Sequence, residues 1–172
     1  HPIVDALADS PMRKAKKVEL LERLASTAPE QRLQALRRLA GIDEERFCQR
    51  FLEVLANAPQ QMPRSVWTSP DGRHGHLVVL TRRPEVWHAF VRAARKAPIG
   101  LRMEWLRPFA YTYLADRQRT ERLACLASFL DDAEVYDVEA SGQDGPHAAF
   151  TFRKLAMRDF AAHHLAMLLR LE

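Results

Sequence analysis

Hydrophobic side chains recur every three or four residues through the first third of the chain, with polar and charged positions between them. Val18, Leu21, Leu24 and Ala25 form one such stripe, ending at Ser26-Thr27, and Ser10-Pro11 ahead of it reads as an N-cap followed by a proline at the first helical position. Pro29 opens a second helix in which Leu33, Leu36, Leu39 and Ala40 face one way, and Gly41 reads as its left-handed C-cap. Asp43 caps a third, with Phe47, Phe51, Leu52 and Leu55 inward, which ends near Asn57-Ala58-Pro59. The connections are short, so consecutive helices are expected to lie antiparallel.

The period changes after Pro59. Ser65-Val66-Trp67-Thr68 and Gly75-His76-Leu77-Val78-Val79-Leu80-Thr81 read as two extended segments around Pro70-Asp71-Gly72-Arg73, which predicts a hairpin within residues 64–81. Helical spacing resumes at Pro84 with Val86, Trp87, Phe90, Val91 and Ala94, and again near Leu101 with Met103, Trp105 and Leu106, where Pro108 must kink or divide the helix. Asp116 is the expected cap of a helix carrying Leu123, Leu126, Ala127 and Leu130. The segment 136–152, with Ser141-Gly142-Gln143-Asp144-Gly145-Pro146, is the most loop-like stretch, and a last helix spans about Leu155 to Leu171. The expected fold is mainly α: a helical bundle or short α-solenoid with one small β-hairpin, residues 1–172 forming a single domain.

Composition narrows the class further. With 172 residues, 47% hydrophobic and 28% charged, the chain can bury its own core, and its 2 cysteines and 6 glycines exclude a disulfide scaffold or a collagen. No apolar run approaches the roughly 20 residues of a membrane span, so membrane insertion is not expected. Cys48 and Cys125 fall inside helical apolar patterns and read as buried reduced thiols, which suggests a cytoplasmic setting. The chain starts at His1 with no charged-then-apolar leader and reads as a processed chain or part of a longer protein.

The net charge of +4 is unevenly spread. Residues 59–115 carry 9 Lys/Arg against 3 Asp/Glu, whereas residues 116–172 carry 7 against 10. Of the 26 basic residues 21 are Arg, whose guanidinium suits carboxylate or phosphate, although Arg-rich codon usage gives the same count. Any anionic partner is therefore to be sought in the middle third.

Leu123-x-x-Leu126-x-x-Phe129-Leu130-Asp131-Asp132-x-x-Val135 resembles the first helix and turn of a HEAT repeat, and Met157-Arg158-Asp159-x-Ala161-Ala162-x-x-Leu165-Ala166-x-Leu168-Leu169 is similar to the second. The resemblance implies stacked helix pairs, Asp and Arg laddered in the turns, and an extended surface for partners. This chain departs from the family in the long insertion from Tyr136 to Phe152, which reads either as a functional loop or as a short hairpin.

Three groups carry candidate chemistry. His74 and His76 would point to one face of a strand, with Asp71 in the turn as a third metal ligand, although the spacing names no further ligand. Asp159 and His163, four apart on a helix, fit an acid/base dyad or an ordinary surface contact. Arg82, Arg83, Arg92, Arg95, Lys96 and Arg102, with Trp67, combine cations with an aromatic as an anion or nucleic-acid face does, against the simpler reading of a solvated helix face. Trp87 and Trp105 sit in apolar stripes and belong to the core. No phosphate loop, serine elbow or zinc motif is present, so no residue takes a catalytic role and no cofactor is implied. The leading expectation is a non-catalytic helical interaction or scaffold module for a protein partner. Nucleic-acid binding through the middle third comes next, then a small enzyme or metal protein built on Asp159/His163 or Asp71/His74/His76.

Overall fold

The computed structural model of the chain describes residues 2–62, 70–110, 117–144 and 148–170, with residues 70, 71, 138–144 and 148–153 described by their backbone alone. The described elements are mainly helical: α1 (Pro2–Asp9), α2 (Lys14–Thr27), α3 (Pro29–Ile42), α4 (Glu44–Ala56), α5 (His74–Val78), α6 (Pro84–Lys96), α7 (Ile99–Leu106), α8 (Arg119–Ala127) and α9 (Met157–Leu169). Short 3-10 turns precede α5 and follow α7, at Pro70–Arg73 and Arg107–Ala110, and one antiparallel pair, β1 (Val135–Asp144) and β2 (Ala148–Ala156), lies between α8 and α9.

The front three amphipathic helices form as their stripes predict. Val18, Leu21 and Ala25 of α2, Leu33, Leu36 and Leu39 of α3, and Phe47, Phe51 and Leu55 of α4 are all buried. Asp43 Oδ1 accepts from Arg46 N at 3.1 Å, the expected cap of α4. Ser10 and Gly41 behave differently. Ser10 donates to Leu7 O at 2.7 Å and so closes α1, a helix the stripe pattern did not reveal, while α2 starts later with Arg13 as its N-cap. Gly41 is an interior residue of α3, whose C-cap is the extended Asp43. Ion pairs tie these layers together: Arg38 of α3 meets Asp5 of α1 at 2.6 Å, and Arg50 of α4 meets Glu22 of α2 at 3.2 Å. Arg38 and Gln34 together hold the Asp5 carboxyl below the usual carboxylate range.

The hairpin lies in the other of the two candidate places. Within 64–81, residues 70–78 are helical rather than extended, and residues 63–69 lie outside the described set. The reason is tertiary. A Cβ on Gly75 would sit 1.7 Å from the backbone oxygen of Trp105, so only glycine lets α5 press against α7, and that packing overrides the strand preference of Leu77-Val78-Val79. The sheet forms instead in the insertion between α8 and α9, paired Val135↔Ala156 to Asp144↔Ala148 with an irregularity between Asp137 and Ala140. Pro108 divides the chain after α7 into a 3-10 turn, as expected. The helix at 119 begins after Gln118, which has φ 45°, and the Asp116 cap falls outside the described residues.

The core continues from α4 into α6 and α7. Phe47 and Phe51 stack at 5.6 Å, His74 stacks flat on Trp105 at 4.5 Å, and Phe90 contacts both Trp105 and Phe109. Cys48 and Cys125 are buried free thiols, and burial raises the pKa of both. α8 and α9 pack on one another, so the chain is a multi-helix bundle with a small hairpin rooted between its last two helices.

Candidate functional site: a groove between two helices

The Arg-rich middle third divides into cations that the fold consumes and cations that it leaves at the surface. Arg102 belongs to the first kind. It is 4% exposed, and each of its five N–H groups has an acceptor. Nε donates to Ala94 O at 2.9 Å. Nη2 donates to Arg95 O and Ala97 O, and Nη1 to Asp132 Oδ2 at 2.6 Å and Glu134 Oε2 at 3.0 Å. Three of these acceptors are carbonyls at the C-terminal end of α6, where a cation is favoured. The two carboxylates come from the turn before β1, so Arg102 clips that turn to α6. Arg95 is engaged on the same side, donating to Ser128 O and to Asp131 Oδ1 and lying 5.4 Å over the Phe129 ring. Arg102 is thus removed as an anion-binding residue, and Arg95 already has a carboxylate.

Arg82, Arg92 and Lys96 are exposed. None of the three has a carboxylate partner among the described residues, whereas Arg83 lies 3.8 Å from Glu85. Two of them edge a groove of about 460 Å³ between α6 and α8. From α6 come Pro84, Trp87, His88, Val91 and Arg92, the i, i+3, i+4, i+7, i+8 positions of one face, with Arg82 just before the helix. From α8 come Glu121, Ala124 and Cys125, again one face, with its C-cap Ser128. The lining is mostly apolar, and the small side chains of α8 set that wall back.

A polar knot fixes the head of this groove. Thr81 is buried; its hydroxyl donates to Glu44 Oε1 at 2.7 Å and accepts from Arg83 N at 3.1 Å. Its carbonyl accepts from Trp87 Nε1 at 3.0 Å. The indole is therefore anchored through its polar edge while its body forms the groove floor. The segment carrying Arg82 and Arg83 has little freedom to swing.

The histidine candidates do not converge. On a helix, residues two apart point to different sides, so His74 faces the Phe51/Trp105 core and the half-buried His76 faces elsewhere. Burial, then Arg37 and Arg73, lower the pKa of His76. The Asp71 side chain and Trp67 lie outside the described set. No group of three metal-ligating residues occurs among the described residues. Asp159 and His163 are both exposed, and the carboxylate lies 3.8 Å from Arg158. His164, next along α9, is the buried one: Nδ1 bonds Phe160 O at 2.9 Å, the ring stacks on Phe160 at 4.0 Å, and burial pushes its pKa down to about 4. No described helix is long and apolar enough to cross a membrane.

The sequence pointed to Arg82 and Arg92 but not to the opposite wall. Glu121, Ala124, Cys125 and Ser128 carry no charge cluster or motif, and only their shared spacing hints at a face. Compared with known proteins, the chain matches no family model, no curated protein and no solved structure.

Proposed function

We propose that the chain is a helical interaction module and that a segment of a protein partner lies in the groove between α6 and α8. The observation that carries this reading is the combination, in one groove, of an apolar floor with two guanidiniums that no described carboxylate neutralises. Apolar surface lined by helices suits a partner with an apolar face, and the two cations suit acidic residues beside it. The resemblance of α8 and α9 to a HEAT helix pair supports the same class of function, since stacked pairs present surfaces of this kind. Nucleic acid is the less favoured partner. A phosphate-tracking face needs a run of free cations, and Arg95 and Arg102 are engaged by Asp131, Asp132 and Glu134. No catalytic role is part of this proposal.

The test is selection from a phage-displayed library of random peptides, run on the wild-type protein and on Ala124→Trp. Ala124 is exposed, so the indole obstructs the groove without disturbing the core, and circular dichroism checks that the fold is kept. A consensus that binds the wild type and loses at least about tenfold in affinity on Ala124→Trp, a change of about 1.4 kcal/mol, supports the groove. Absence of any consensus, or one indifferent to Ala124→Trp, overturns it.

A further inference from the structure

Resting on the groove reading, we infer that the occupant is an acidic amphipathic α-helix of the partner, its apolar stripe on Pro84, Val91 and Ala124 above the Trp87 floor and its carboxylates on Arg82 and Arg92. The first support is shape. Both walls are single helix faces, and the wall of small residues on α8 leaves the space between two helices into which a third packs, at the usual interaxial distance of roughly 8–10 Å.

The second support is hydrogen bonding. An extended peptide gains affinity by adding to an exposed sheet edge, through main-chain bonds. Here the walls are α6 and α8, whose backbone groups are largely spent within their own helices, so an extended guest would bury amides without partners. A helical guest brings its own bonds satisfied. The third support is charge and length. Arg92 lies eight positions into α6 from Pro84, about 12 Å at about 1.5 Å per residue, and Arg82 lies beyond that start, so the two cations are separated by two to three turns of a guest helix. Carboxylates about two to three turns apart on the guest would reach both. Glu121 on the opposite wall disfavours acidic residues there, so the guest's acids belong on its α6-facing flank. Trp87, 5% exposed, has too little open face for base stacking, which argues against single-stranded nucleic acid in this groove.

The test uses fluorescein-labelled, helix-stapled synthetic peptides of Leu and Ala with Glu on one flank about two to three turns apart, and a twin with Lys in place of Glu, read by anisotropy. The Glu peptide is expected to bind and the Lys twin not. Arg82→Glu combined with Arg92→Glu should weaken the Glu peptide by about a hundredfold, tenfold for each charge-assisted contact, and should admit the Lys twin. Equal binding of both peptides, no binding of the Glu peptide, or indifference to the double charge reversal overturns the acidic-helix inference. So does displacement of the Glu peptide by a single-stranded oligonucleotide at equal concentration. The groove itself is judged separately: a library consensus lost on Ala124→Trp keeps it standing when the acidic peptide fails, and loss of both refutes both.

Discussion

Two pairs of arginines around α6 stand in opposite circumstances. At its C-terminal end Arg102 and Arg95 meet three carboxylates and a set of helix carbonyls, and Arg102 has no donor to spare. Along the face toward α8, Arg82 and Arg92 edge a largely apolar groove and form no ion pair with a described carboxylate, Glu121 standing on the opposite wall. A count of basic residues treats these four as equal, and the fold does not. A guanidinium that closes a structural contact contributes to stability and is lost to partners, while one left at the edge of a groove does little for the fold and is available for binding.

The contrast is open to measurement, and the largest expected effect is at Arg102. Arg102→Ala leaves Asp132, whose side chain is 12% exposed, without its cation and takes one donor from each of three carbonyls, and urea denaturation should show a loss of about 3–5 kcal/mol. A loss under about 1 kcal/mol would mean that the two pairs of arginines do not differ. Acidification sets a second scale. Because burial puts the His164 pKa at about 4 against an ordinary 6.5, the unfolded chain takes up a proton first as pH falls. Its contribution is complete above about pH 6.5 and disappears towards pH 4, a loss on the order of 3 kcal/mol, with His76 acting in the same direction. His164→Gln should flatten most of that slope in thermal melts taken across the range. Removing one carboxylate, in Asp132→Ala, should cost about 2 kcal/mol, less than removing the arginine because Glu134 remains. Arg95→Ala should cost at most about 1 kcal/mol, since both it and Asp131 are largely exposed. Arg82→Ala and Arg92→Ala should stay within about 0.5 kcal/mol, so a larger loss at either would show a structural role that the groove reading denies.

Legibility in the sequence follows the same division between local and distant causes. The stripes of α2, α3, α4 and α6 are local patterns, and each matches a buried face. What fails is decided from far along the chain. Leu77-Val78-Val79 has the composition of a strand, and its helical state depends on Gly75 meeting the carbonyl of Trp105, thirty positions on. The insertion after α8 reads from its glycines either as a loop or as a short hairpin, and the choice between them is made by the pairing of β1 with β2, a contact that local patterning leaves open. Tyr136 of that hairpin packs where a Cβ on Gly100 would lie 2.7 Å from its ring. At the groove, charge made Arg82 and Arg92 visible. The small residues of α8 stayed invisible because a side chain that makes space leaves no mark in composition.

The Arg102 contacts also bear on where the chain tolerates being cut. They join residues 94–97 and 102 to residues 132 and 134, with the whole of α8 looped between. The stretch from Asp131 onward is therefore not an appendage to a self-sufficient front half. A fragment ending before it would inherit a sequestered cation stripped of its counter-charges, and is expected to unfold at lower urea than one that extends past Glu134.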